Sequence, residues 1–324
     1  MTPELRSPLA VVCHDAGACN VILPWLARAG LALRPLMRGP AARLFASHFP
    51  CPPALTRERT CATDHERADE RPDTALDAAL DGAAMLLSGT GWASGLEHHA
   101  RRLARARGIF SVAVIDHWVN YPDRFERGGE TVWPDEFWVT DAHALAIACR
   151  CFPAVPVRCF DNLYLQRETA AVTPRLRDDA AQVLYVLEPM RSDWGRGKPG
   201  EFQALDYFMR ERAAAGMPAT APIRLRPHPS DPAGKYDAWV LAQRARADVA
   251  LDGHASLAEA IGASAWVVGC ESFALVVALA AGRRVCSTLP PWAPPCRLPQ
   301  PGIVHLGVRA RGPVRRVSAG PVGR

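Results

Sequence analysis

Two basic side chains close an apolar run in Ile223-Arg224-Leu225-Arg226-Pro227-His228-Pro229. Arg226 carries a permanent planar cation that suits a phosphate. His228 donates to a phosphate oxygen or shuttles a proton. A strand that runs into two prolines stops there and presents its last side chains at the rim of a sheet, where open α/β folds bind ligands. The pair points to an anion site for a nucleotide mono- or diphosphate. A surface loop stiffened by prolines is the weaker reading.

Four other stretches place reactive or small residues at the same kind of strand end. In Cys13-His14-Asp15-Ala16-Gly17-Ala18-Cys19-Asn20, Asp15 stands where a general base would, with His14 beside it. Gly17 permits a tight turn and leaves helix N–H groups open to a substrate. Helix capping by Asp15 and Asn20 competes with that role. In Ser88-Gly89-Thr90-Gly91-Trp92-Ala93-Ser94, Gly89 and Thr90 let a substrate approach, while Ser94 serves equally well as a cap. In Ile115-Asp116-His117-Trp118, Asp116 and His117 suit an acid/base pair and Trp118 suits stacking on a sugar or base. A satisfied rim network around a core tryptophan fits that stretch equally. In Val268-Gly269-Cys270-Glu271-Ser272-Phe273, Gly269, Ser272 and the helix start suit a phosphate, and Glu271 suits ribose hydroxyls. A plain helix cap explains Ser272 as well.

These residues need a scaffold, and the pattern supplies one. Strand-like runs alternate with helix-like runs. The strands are Leu9 to Cys13, Ala83 to Leu87, Ile109 to Ile115, Glu136 to Val139 and Val155 to Cys159, with helices over Asn20 to Leu31, Leu96 to Arg107 and Ala142 to Cys149. The segment Asp161 to Asp179 is polar, contains Pro174, and reads as a linker. The alternation then restarts, with strands at Val183 to Leu187, Ile223 to Arg226, Ala265 to Gly269 and Arg284 to Cys286. Helices fall between them at Phe202 to Ala215, Trp239 to Arg246, Ser256 to Ile261 and Phe273 to Ala281. Such alternation predicts parallel sheets covered on both faces. The expected fold is α/β: two Rossmann-like domains, 1–165 and 180–306, whose parallel sheets face a cleft, followed by a basic, disordered tail, 307–324.

Composition narrows the class. The chain has 324 residues, 49% hydrophobic and 22% charged, which suits a soluble two-domain protein. No apolar run reaches the roughly 20 residues of a membrane span, and no signal peptide is read at the start, so a cytoplasmic protein is expected. The net charge of +5 comes largely from the arginines of the tail. No basic patch is interleaved with aromatics, so nucleic acid is not an expected partner. Ten cysteines show no paired zinc spacing, and several, Cys13, Cys270 and Cys286, sit in apolar strands, so buried reduced thiols are expected over a metal site.

The stretch from 183 to 290 resembles the C-terminal domain of GT-B glycosyltransferases. The likeness rests on Arg226-Pro227-His228-Pro229, on Ser256-Leu-Ala-Glu-Ala-Ile261, and on Gly269-Cys-Glu-Ser-Phe-Ala-Leu-Val-Val-Ala-Leu-Ala-Ala-Gly-Arg-Arg-Val285. The His-Pro pair is similar to that of sialyltransferases, polysialyltransferases, capsule Kdo transferases and CDP-glycerol transferases. The resemblance implies that His228 meets the phosphate of a nucleotide-sugar donor and that Glu271 and Ser272 hold its phosphate or ribose. Two departures stand out. The acidic triplet of the sialyltransferase type is absent, and a basic Gly/Pro tail replaces the long C-terminal helix.

The resulting expectation is a metal-independent glycosyltransferase of surface-polysaccharide synthesis, GT-B-like, with a CMP-, CDP- or UDP-linked donor as co-substrate and no cofactor. Its partners are the nucleotide sugar and a glycan acceptor, with room for peripheral membrane association and no transmembrane segment. The alternatives are a nucleotide-sugar epimerase or hydrolase on the same scaffold, and a non-catalytic nucleotide-binding homologue.

Overall fold

The computed structural model describes residues 1–49, 73–91, 94–174, 182–190 and 192–306. The tail read at 307–324 and the pair Trp92 and Ala93 lie outside the described residues. The chain divides into two compact units, Met1–Arg167 and Glu168–Arg324.

The first unit begins with β1 (Leu9–Cys13), α1 (Ala16–Ala29), β2 (Leu33–Met37), α2 (Gly39–His48), α3 (Thr74–Leu80) and β3 (Met85–Ser88). It continues with α4 (Leu96–Ala106), β4 (Phe110–Val114), a small antiparallel pair β5 (Glu126–Arg127) and β6 (Glu130–Thr131), then β7 (Glu136–Val139), α5 (Ala142–Cys151) and β8 (Val157–Cys159). The six longer strands form one parallel sheet in the order β2-β1-β3-β4-β7-β8. β1 is apolar at every position because both faces are covered. Leu9, Val11 and Cys13 join a core with Ile22, Trp25 and Trp138, while Ala10 and Val12 pack with Leu76, Leu80 and Ala100 on the other face. Trp25 stands edge-on to Trp138 and Phe160, and its indole N–H donates to the Asp161 carbonyl at 3.1 Å.

The sequence placed the first helix at Asn20, but α1 starts at Ala16, so Gly17 and Asn20 belong to the helix itself. It ends at Gly30, whose φ of +61° is the left-handed cap expected of a glycine. The polar segment read as a linker contains a helix, α6 (Leu163–Ala170), and the division between the units falls within it.

The second unit carries β9 (Val183–Val186), α7 (Gly200–Glu211), β10 (Ile223–Arg226), α8 (Asp237–Gln243) and β11 (Val249–Leu251). α9 (Leu257–Gly262), β12 (Trp266–Gly269), α10 (Phe273–Ala280), β13 (Arg284–Ser287) and β14 (Ile303–His305) complete it. All six strands are parallel, in the order β11-β10-β9-β12-β13-β14. Numbered within the unit, this is the doubly wound order 3-2-1-4-5-6, which reverses direction between β9 and β12. The first unit reverses in the same way between β1 and β3. These reversals are where the carboxyl ends of parallel strands leave a crevice for ligands. One cavity, of about 590 Å³, lies elsewhere: Met85, Phe110 and Glu136 place it at the amino ends of the first unit's strands, away from the chemistry.

Candidate functional site

In the first unit, the loops after β1, β3 and β4 carry the residues singled out above, and the sheet order brings them to one rim. His14 leaves β1 with its backbone N–H donating to Glu97 Oε1 at 2.7 Å. Its ring Nδ1 lies 2.9 Å from Asp15 Oδ1. Gly39, at φ +50°, leaves room for that ring, since a Cβ there would stand 2.6 Å from His14 Nε2. Asp15 occupies the cap position of α1, yet its side chain makes no capping bond. Its carboxylate is turned to His14 and lies against Gly91, where a Cβ would be 2.2 Å from Oδ2. The capping role weighed for Asp15 is therefore not the one its side chain plays.

Asp116 comes to the same place from β4. A Cβ on Gly17 would fall 1.8 Å from Asp116 Oδ2, so this glycine lets the carboxylate rest against the first turn of α1. Asp116 Oδ1 accepts from Arg124 Nη1 at 3.1 Å, which gives the carboxylate an ionic partner that the sequence did not suggest. His117 packs on the Trp118 ring with centroids 5.2 Å apart. Thr90 and Trp118, expected to touch substrate, are buried. The Thr90 hydroxyl donates to the Val114 carbonyl at 3.1 Å and accepts from Arg124, and the Trp118 indole donates to Asp141 at 2.9 Å. Gly89 is buried too, facing Ala18, Cys13 and Glu97.

Glu97 escaped the sequence reading. It lies one turn before Arg101 on α4, and both are buried beneath the rim. Burial pushes the Glu97 carboxyl up, against the pull of the His14 N–H, and pulls the Arg101 guanidinium down to about 10. The only sequence signal was an acid and a base four apart in a helix that follows a glycine-rich loop.

In the second unit, Arg226 ends β10. Its Nη1 pairs with Asp252, whose side chain is wholly buried, and donates to the His254 carbonyl at 3.1 Å. The charge expected to meet a phosphate is thus matched by a carboxylate from the loop after β11. His228 is held differently. The Ser230 backbone N–H donates to His228 Nδ1 at 3.2 Å, and the Ser230 hydroxyl lies 2.7 Å from the same nitrogen. A backbone N–H can only donate, so Nδ1 carries the lone pair and the proton resides on Nε2. Partial burial, reinforced by the Lys235 charge and opposed by Asp231, lowers the imidazole pKa and keeps the ring neutral. His228 Nε2–H is therefore a fixed donor on an exposed residue.

Asp231 fixes this loop. It accepts from the His228 backbone N–H at 2.9 Å, from Lys235 at 2.7 Å and from the Tyr236 hydroxyl at 3.1 Å. Lys235 also pairs with Glu201 of α7 at 2.8 Å, and Glu201 accepts from Met190 N–H at 3.3 Å. The loops after β9 and β10 are tied together through these charges.

At the reversal point itself stands Glu188, which the sequence reading missed although it lies two residues after the apolar strand β9. Its Oε1 accepts from the Glu271 N–H at 2.9 Å. Burial raises its carboxyl to about 7, opposed by the Glu271 N–H and by Arg297, with the Glu271 charge adding to the rise. Glu271 is paired with Arg297, whose Nε lies 3.2 Å from Oε2. Ser272 caps α10, its hydroxyl accepting from Ala274 N–H at 3.3 Å. Gly269 pairs with Val186 across β12 and β9, and a Cβ there would lie 2.6 Å from the Val186 carbonyl oxygen. The glycine is explained by strand packing.

The thiols divide by position. Cys13, Cys270 and Cys286, expected to be buried in apolar strands, are buried, as is Cys19, whereas Cys149 and Cys151 are exposed on α5. Among the described residues, no group of three or more His, Cys, Asp or Glu could hold a metal ion, and no helix is long and apolar enough to cross a membrane.

No protein-family model matches the chain, and no curated protein matches it. Solved structures do. UDP-GlcNAc 2-epimerase from Methanocaldococcus jannaschii is similar at 8% identity, covering 86% of this chain and 83% of that one, with a TM-score of 0.53. A putative UDP-N-acetylglucosamine 2-epimerase from Listeria monocytogenes is similar at 11% identity, covering 86% and 79%, also with a TM-score of 0.53. At such identities the likeness is one of fold. The resemblance drawn from the motifs thus holds at the level of architecture: the chain has the α/β fold of two Rossmann-like domains, of the GT-B-like class.

Proposed function

We propose that this chain is an enzyme acting on a nucleotide sugar, moving its glycosyl group to a hydroxyl of a glycan acceptor in surface-polysaccharide synthesis. The observation that carries the reading is the locked tautomer of His228. A neutral imidazole that must present Nε2–H at the rim of a doubly wound sheet is a donor built for an anionic oxygen. In the transfer, a new bond forms between the acceptor oxygen and the anomeric carbon. The bond from that carbon to phosphate breaks, and its electron pair leaves on the phosphate. His228 stabilises the departing charge, and the α10 start at Ser272 adds its dipole. Asp15, oriented by His14, takes the acceptor proton. Donors fixed in this way do the work that a metal would otherwise do, so the reaction is proposed to be metal-independent. The cytoplasmic face of a membrane is the proposed place of action.

A second reading, epimerisation or hydrolysis of the nucleotide sugar, is favoured by the fold likeness to UDP-GlcNAc 2-epimerases. One experiment separates the two. UDP-, CDP- and CMP-linked sugars are incubated with the protein in D2O, with and without oligosaccharide acceptors, and followed by proton NMR and nucleotide chromatography. Nucleotide release that requires an acceptor supports transfer. Deuterium entering the sugar ring next to the anomeric carbon, or release without acceptor, supports the second reading. Binding with no turnover under any condition contradicts both and leaves a nucleotide-binding protein.

A further inference from the structure

The loop after β11 holds an arrangement that the proposed function does not use. The Asp252 side chain is wholly buried and shared between two partners: Arg226 pairs with one carboxylate oxygen, and His254 Nδ1 lies 2.6 Å from the other. His254 is 36% exposed, so the buried acid fixes a ring that reaches solvent. A carboxylate paired with a guanidinium accepts, which puts a proton on His254 Nδ1; in the neutral ring the lone pair is then on Nε2. His228 has the opposite tautomer. The strands that lead into the two loops are paired. Leu225 pairs with Leu251, and the same offset of 26 separates Arg226 from Asp252 and His228 from His254. Neighbouring parallel strands are about 4.8 Å apart, so these backbones leave the sheet side by side.

We propose that His254 is a ligand-contacting residue, and that this rim recognises a sugar phosphate or nucleoside phosphate through a fixed donor, His228 Nε2–H, beside a fixed acceptor, His254 Nε2. The donor meets a phosphate oxygen and the acceptor meets a hydroxyl of the same ligand. Asp252 and Arg226 are positioning residues: the acid sets the ring, and the guanidinium holds the acid and the His254 carbonyl. The inference rests on the phosphate-binding role of His228 proposed above and extends it to the neighbouring hydroxyl. That hydroxyl belongs either to a ribose or to a glycosyl group.

The test uses the full chain labelled with nitrogen-15 at histidine. Long-range nitrogen–proton spectra read the tautomers, with His228→Gln and His254→Gln assigning the signals. The expected result is Nε2–H for His228 and Nδ1–H for His254, with Asp252→Asn releasing the second preference. Titration then compares inorganic phosphate, UMP and glucose 1-phosphate. Phosphate should move His228 signals alone. UMP moving both rings identifies a ribose hydroxyl, and glucose 1-phosphate moving both identifies a glycosyl hydroxyl. His254→Ala should weaken the responsive ligand about tenfold, the worth of one hydrogen bond, and leave phosphate binding unchanged. An Nε2–H tautomer at His254 overturns the inference, as does a His254 silent to both organic phosphates while His228 responds. In that last case the phosphate role of His228 stands. Silence of His228 toward all three probes overturns both.

Discussion

Asp15 stands at the first turn of α1 with its carboxylate turned to the His14 ring and away from the helix N–H groups. Replacing it should therefore cost chemistry more than stability. Asp15→Asn is expected to lower turnover roughly 100-fold or more, the range of a lost general base, with little change in melting temperature. Turnover within a few-fold of wild type would remove Asp15 from the catalytic role. Glu188 makes a different prediction. Burial lifts its carboxyl from the ordinary 4.5 to about 7, so the folded protein holds this proton more tightly than the unfolded chain does. The resulting stability is present in full below the unfolded value and is lost as pH rises through 7. The loss amounts to at most roughly 3 kcal/mol. Glu188→Gln should flatten that dependence, and urea midpoints at about pH 5 and pH 8 measure it. Equal slopes in variant and wild type would show that the carboxyl titrates normally. At this scale the sequence revealed His228 and Asp15 because they sit beside strand ends with clear punctuation. It concealed Glu97, Glu188 and Asp252, since burial and distant partners give those acids their character and neither is written locally.

The elements follow from apolar pattern, and the misses have a common cause. The interior strands β1, β3, β9 and β12 are buried at every residue and read plainly as apolar runs. β2, β11 and β14 lie at sheet edges, are only partly buried, and passed unnoticed. β2 also contains Pro35, which a central strand would exclude and an edge strand tolerates. α6 was hidden by its polar composition. The strand ends depend on close approach, and Gly269 shows it. Gly269→Ala would press a methyl against the Val186 carbonyl in the middle of the sheet, where neither strand can yield. A loss of about 2 kcal/mol is expected by thermal denaturation, from overpacking. An unchanged melting temperature would mean that β9 and β12 separate freely there.

Across the molecule, the same plan appears twice. Each unit is a six-stranded parallel sheet that reverses direction beside its first strand, and each holds a glutamate at that reversal whose carboxyl is pushed up by desolvation, Glu97 buried in one and Glu188 half-buried in the other. Each core also shelters a pair of thiols whose ionisation burial opposes: Cys13 and Cys19 in the first, Cys270 and Cys286 in the second. Iodoacetamide applied to the native protein should label Cys149 and Cys151 and spare those four until denaturant is added, as peptide mass spectrometry would show. Rapid labelling of Cys13 or Cys270 would contradict the cores described. The tandem architecture was legible because alternation stopped and restarted, whereas the proposed function rests on one nitrogen's proton, which only geometry reveals. Calorimetric titration of UDP, CDP, CMP and GDP into wild type and His228→Ala tests that point most directly. At least one nucleotide is expected to bind the wild type and to bind the variant about tenfold more weakly. Equal affinity for both proteins, or no nucleotide bound at all, would contradict it.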